Sequence, residues 1–168
     1  SIFLMKQFFS FPNPVNDAAA RTVALGVVAM ATAALVFNQP WILIPLTYGF
    51  LARVAAGPKI SPLGTFAVKF AAPRLSAWEK MVAGPPKRFA QGIGLAFSAS
   101  ASIVYLATGW SAARWILLPL IAAAALEGFV GYCLGCAIFA QLMKVGLIPE
   151  EVCADCADIT RRYAASGK

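Results

Sequence analysis

All four cysteines of the chain fall in two Cys-x-x-Cys pairs near its C-terminal end, Cys133/Cys136 and Cys153/Cys156. Two chemistries fit that pattern. Four thiolates spaced C-x2-C-x16-C-x2-C match the ligand spacing of a tetrahedral zinc site, which would staple the C-terminal tail to the end of the preceding helix. Alternatively, each pair is a dithiol that opens and closes a disulfide, and the two pass electrons by exchange. In that reading Cys153, placed by Pro149-Glu-Glu near the start of a short helix, gains thiolate character from the helix dipole, while Asp155 and the two glutamates oppose it. A third reading treats cysteine as a small apolar residue in a packed helix. It accounts for Cys133 and Cys136 but not for a pair in the polar tail.

Glu127 is the other chemical candidate, a carboxylate deep in an apolar run. A carboxylate at membrane depth marks a functional site or a bonded protonated acid. Candidate partners are the hydroxyls of Ser98, Ser100, Ser102 and Tyr105, or Thr47 and Tyr48. On one continuous helix Glu127, Gly131 and Gly135 share a stripe, with Gly131/Gly135 a small-xxx-small packing pair and the cysteines on the opposite face. Lys87-Arg88, after Pro85-Pro86, reads as an inner-interface anchor for the following helix.

The elements that carry these residues are membrane helices. Of 168 residues 60% are hydrophobic and 12% charged, and mean hydropathy is +0.74. Soluble domains carry about 25% charged residues; here the apolar residues come in long uninterrupted runs instead. The expected fold is an all-α polytopic membrane protein forming one membrane domain over 1–168. Its spans fall at about 18–37, 41–56, 91–109 and 114–143. Interfacial amphipathic helices occupy 2–11 and 59–83, the latter broken at Pro73 and at Gly84-Pro-Pro86, and a Cys-containing tail covers 145–168. Asn16 or Asp17 is placed to cap the first span. Asn38-Gln-Pro-Trp41 makes a tight outer turn.

Charge sets the orientation. Of the 14 lysines and arginines, all but Arg114 precede or open the first span, lie from the end of the second to the start of the third, or follow the fourth. The positive-inside rule then makes both termini and the long middle connection cytoplasmic. The net charge of +7 reflects this topology and attraction to anionic inner-leaflet lipid, not nucleic acid. With no histidine in the chain, imidazole ligation of haem and histidine triads are excluded. Gly92-Ile-Gly94 lacks the strand–helix setting of a nucleotide loop. No cleavable signal peptide is expected at the start.

At Val15-Asn-Asp-Ala-Ala-Ala-Arg21, Ser61-Pro-Leu63, Pro86-Lys-Arg-Phe-Ala-Gln-Gly-Ile-Gly94, Glu127 and Gly131-Tyr-Cys-Leu-Gly-Cys136 the sequence resembles a bacterial integral-membrane family, domain of unknown function 4395. The resemblance implies a helical bacterial inner-membrane protein and marks the cysteine segment as characteristic, but it brings no activity with it. Three functions remain open. The first is a thiol-disulfide redox or sulfur-relay component that meets a soluble thiol partner through Cys153/Cys156. The second is an accessory or scaffold subunit clamped by zinc or by packing, with a second copy or another membrane protein as partner. The third is a transporter, which four short spans would form only as an oligomer.

Overall fold

A computed structural model describes residues 11, 15–75 and 81–149. The expected helix at 2–11 (apart from Phe11), most of the second amphipathic stretch after Pro73, and the tail with Cys153 and Cys156 lie outside the described residues.

Helix α1 (Asp17–Val36) begins where Asn16 Oδ1 accepts the Ala18 N–H at 2.9 Å, satisfying one of the donors a helix start leaves open. It ends before Asn38, whose positive φ of 51° turns the chain, and Pro40–Ile42 leads into α2 (Leu43–Ala56). At 14 residues α2 is about 21 Å long, short of a hydrocarbon core of about 30 Å.

The chain then turns through Gly57–Lys59 into a continuous helical run: α3 (Pro62–Phe66), a wider π turn (Ala67–Ala71) and α4 (Ala72–Arg74). Ser61 Oγ caps it by accepting the Gly64 N–H. The run ends at Arg74, one residue past the break expected at Pro73. The register widens first, with the Ala72 N–H bonding Ala67 O, and Pro73, which has no N–H to give, follows the widened turn. One side of the run packs on α1. Ala67 and Ala72 are buried with Ala18, Ala19 and Val23 of α1, while Phe66 and Phe70 stack outward at 5.7 Å.

Helix α5 (Gly84–Thr108) starts well before the expected 91. Gly84-Pro-Pro86 opens it rather than breaking the chain, because the first helical turn needs no N–H and proline suits it. A two-residue antiparallel pairing, β1 (Val15–Asn16) with β2 (Met81–Val82), sets Val15 opposite Val82. It holds the starts of α1 and α5 together. Helix α6 (Trp110–Ala125) descends beside α5 and continues as a π turn, Leu126–Val130. The expected continuous span 114–143 is instead divided: Gly131 ends this segment and α7 (Leu134–Lys144) is a separate helix.

Val27, Ala31, Leu46, Phe50, Ala101, Leu117 and Leu120 form the core, with alanines allowing close approach of the backbones. Asp17–Val36, Gly84–Thr108 and Trp110–Val130 are each long and apolar enough to cross a membrane. Large apolar side chains face outward from them, Leu106 being 83% exposed, as lipid-facing surfaces require.

Candidate functional site: a cysteine pair beside a buried ion-pair network

The site is built where the starts of α1 and α5, the end of α2 and the end of the α6 segment meet. Gly131 has φ +79°, a left-handed conformation that glycine adopts without steric cost. The Gly131 N–H bonds Glu127 O and the Tyr132 N–H bonds Leu126 O, both at 3.1 Å. Two further carbonyls at this helix end are taken by Arg21 of α1, through Nε to Gly128 O (3.4 Å) and Nη2 to Phe129 O (3.1 Å). A cation at a helix C-terminus also complements the dipole.

The break creates a new helix N-terminus, and Cys133 is its cap. Cys133 Sγ accepts the Cys136 N–H at 3.2 Å. Cys133 and Cys136 form a disulfide, with Cα atoms 5.2 Å apart. In this form neither sulfur is a thiolate ligand, so the four-cysteine zinc arrangement needs the pair reduced and also needs Cys153 and Cys156, outside the described residues. Gly135 between them seats α7 on α5: a Cβ there would stand 2.6 Å from Ala90 Cα.

Glu127 does not meet the hydroxyls expected of it. Thr47 Oγ1 bonds Ser102 Oγ and Tyr48 bonds Ile60 O, while Glu127 Oε1 accepts from Lys87 Nζ at 2.6 Å. Lys87 is likewise no interface anchor. Its side chain is 7% exposed, and its ammonium also donates to Asp17 Oδ1 at 3.2 Å. Starting α5 at Gly84 is what pulls Lys87 inward, since the lysine then sits in the first helical turn facing α1. Arg88 remains exposed and bonds Val54 O.

Arg53 lies beside this network, buried near the end of α2. Nε donates to Gln91 Oε1 (2.7 Å), Nη1 donates to Ser61 Oγ (3.1 Å), and the guanidinium packs 4.8 Å from the Phe50 ring centroid. Its Nη2 is buried without a partner among the described residues.

A cavity of about 240 Å³ lies between α1, α2, α5, α6 and α7. Val27, Phe50 and Phe97 supply apolar walls; Gln91, Glu127 and Cys133 are its polar lining. Glu127 and Cys133, expected on opposite faces of one helix, share this cavity because Gly131 turns the chain between them.

The family model described as domain of unknown function DUF4395 matches residues 15–144, a range that takes in Asp17, Lys87, Glu127 and the Cys133/Cys136 pair. The chain belongs to this family. No curated protein and no solved structure matches it. In this DUF4395 chain the sequence singled out Glu127, Lys87 and the cysteines, and the fold brings Glu127, Lys87 and the Cys133/Cys136 pair to one end of the bundle, while Cys153 and Cys156 lie outside the described residues. Asp17, Arg21, Arg53 and Gln91 were missed as site residues. A signal for the first two existed. Asp17 and Arg21 are one helical turn apart on the same face, and in helices that alternate in direction the starts of the first and third lie beside the end of the fourth.

Proposed function

We propose that this protein is a thiol-disulfide redox component of the bacterial inner membrane, with Cys133/Cys136 as its reactive pair. The observation that carries the reading is the closed Cys133–Cys136 disulfide at the capped start of α7, in the wall of a cavity. A disulfide this local closes so small a loop that the chain-entropy account gives it only about 2 kcal/mol, a weak reason for a structural role. Disulfides on the cytoplasmic side of a membrane are, moreover, mostly transient and catalytic.

The asymmetry of the pair assigns roles. A thiolate from a partner attacks Cys136 Sγ, and the electron pair of the broken S–S bond leaves on Cys133. The α7 N-terminus and the Cys136 N–H stabilise the charge there, and a stabilised leaving thiolate leaves faster. The partner's second thiol then displaces Cys136, so the partner ends as a disulfide and the chain as a dithiol. A soluble thiol protein, met through Cys153 and Cys156 of the tail, supplies those electrons.

The same proposal carries a four-pass topology with both termini cytoplasmic. α2 and the Pro62–Arg74 run together make the second pass, and the basic end of the bundle faces anionic inner-leaflet lipid. Differential alkylation tests the chemistry. Reduction exposes Cys133 and Cys136 to reagent, mild oxidation protects both, and Cys133→Ser traps a mixed disulfide with the partner at Cys136. Stoichiometric zinc on reduced protein, with every cysteine protected until a chelator is added, would replace this reading with the clamped accessory subunit.

A further inference from the structure

A dithiol that has oxidised its partner must hand two electrons on, and the cavity beside Cys133 says to what. It is walled by apolar side chains from five helices, and three of its lining residues, Pro119 of α6 and Leu134 and Ile138 of α7, are solvent-exposed. The opening therefore faces sideways, between α6 and α7, where lipid would lie against helices apolar enough to cross a membrane. A ligand entering there comes from the bilayer. At about 240 Å³ the space is below the usual range for drug-sized ligands of about 300–1,000 Å³. It suits a single substituted ring whose tail stays in lipid. The polar groups that meet the ring are few and of the right kind: the Gln91 carboxamide, the Glu127 carboxyl and the Cys133 sulfur. Gln91 gives its oxygen to Arg53, which leaves its amide nitrogen to donate to a ligand carbonyl.

We infer that this cavity binds a membrane quinone, which reoxidises the Cys133/Cys136 dithiol. The step balances. Two S–H bonds break and one S–S bond forms, and two electrons and two protons pass to the quinone, which leaves as hydroquinone. Cys133, on the cavity wall, is the sulfur that meets the ring. Glu127, the titratable lining residue besides Cys133, carries a proton between thiol and quinone oxygen, and through Lys87 it connects to Asp17 at the end of the bundle.

This inference rests on the redox reading, and the experiment separates the two. The full chain in nanodiscs is reduced, freed of reductant without air, and mixed in parallel with decyl-ubiquinone and with oxidised glutathione. Quinol absorbance and alkylation-mass counts of Cys133 and Cys136 are followed. The expected result is both thiols lost for each quinone reduced, at a rate that Ala123→Phe, which fills the cavity, lowers about tenfold or more. Ala123→Leu serves if the larger residue prevents folding. Exchange with glutathione but no reaction with quinone overturns the quinone site and leaves the redox function standing. No reaction with either overturns both. Quinone reduction at full rate in a folded filled-cavity variant overturns the cavity as the place where it occurs.

Discussion

At the scale of single residues, Lys87 is a costly group to bury. Moving an ammonium out of water costs several kcal/mol, and only good pairing repays it. Here two carboxylates from different helices do so, Asp17 at 3.2 Å and Glu127 at 2.6 Å. Removing the lysine leaves both carboxylates buried without their cation. Lys87→Met should therefore destabilise the protein by about 3–5 kcal/mol, measured by denaturant unfolding in micelles. Adding Asp17→Asn and Glu127→Gln to that variant should recover most of the loss, because neither carboxylate is then left without its lysine. A triple variant as unstable as Lys87→Met would mean that the lysine stem, not its charge, holds the helices. The cysteines contrast with this. Replacing both Cys133 and Cys136 by alanine should cost no more than about 2 kcal/mol while abolishing every thiol reaction of the pair.

The decisive feature at the scale of elements is the break at Gly131, which turns one apolar run into a long segment and a separate short helix. Arg21→Gln removes donors to the Gly128 and Phe129 carbonyls and should cost about 1–3 kcal/mol. Gly131→Ala, forced into φ +79°, should add about 1–2 kcal/mol of strain. If the break positions the pair, both variants also change the alkylation rate of reduced Cys133 relative to Cys136; an unchanged ratio would show that α7 keeps its cap without them. The sequence could not reveal this break. Gly131 and Gly135 have the spacing of a helix-packing pair, and glycine is chosen equally for close approach and for a left-handed turn. Gly135 does pack closely, on Ala90, so half of that reading survives. What makes the turn at Gly131 affordable is Arg21, 107 residues away from Gly128, and no local periodicity reports a partner so distant. Long apolar helices were legible because lipid imposes length and composition. Lys87 was misplaced for a related reason: its prolines read as a breaker when they were a helix start, and a lysine near a membrane end usually snorkels outward.

For the molecule as a whole, the question is how many times the chain crosses, given that α2 is too short to cross alone. The β1–β2 pairing fixes Val15 beside Val82, and Lys87 bonds Asp17, so α1 and α5 start on the same face. Whatever lies between them must go out and come back. α1 goes out; the return is shared by α2 and the Pro62–Arg74 run, whose end packs on Ala18 and Ala19. Arg53 donates to both Ser61 and Gln91 at the joint, where a change of helix would otherwise leave polar groups unsatisfied in an apolar setting. The proposed topology rests on this path, and labelling checks it. In a chain with all four cysteines replaced, Asn38→Cys and Ser111→Cys, at the two turns far from the basic end, should label with a membrane-impermeant maleimide on intact spheroplasts. Arg74→Cys, at the foot of the returning run, should label only after permeabilisation. Labelling of Arg74→Cys from outside would place α2 and its run on the outer face, and the charge argument for the orientation of the bundle would fall with it. Labelling of all three only after permeabilisation would mean that the chain dips into the membrane without crossing. The cavity would then open to the inner leaflet alone, and a quinone would have to reach Cys133 from that side.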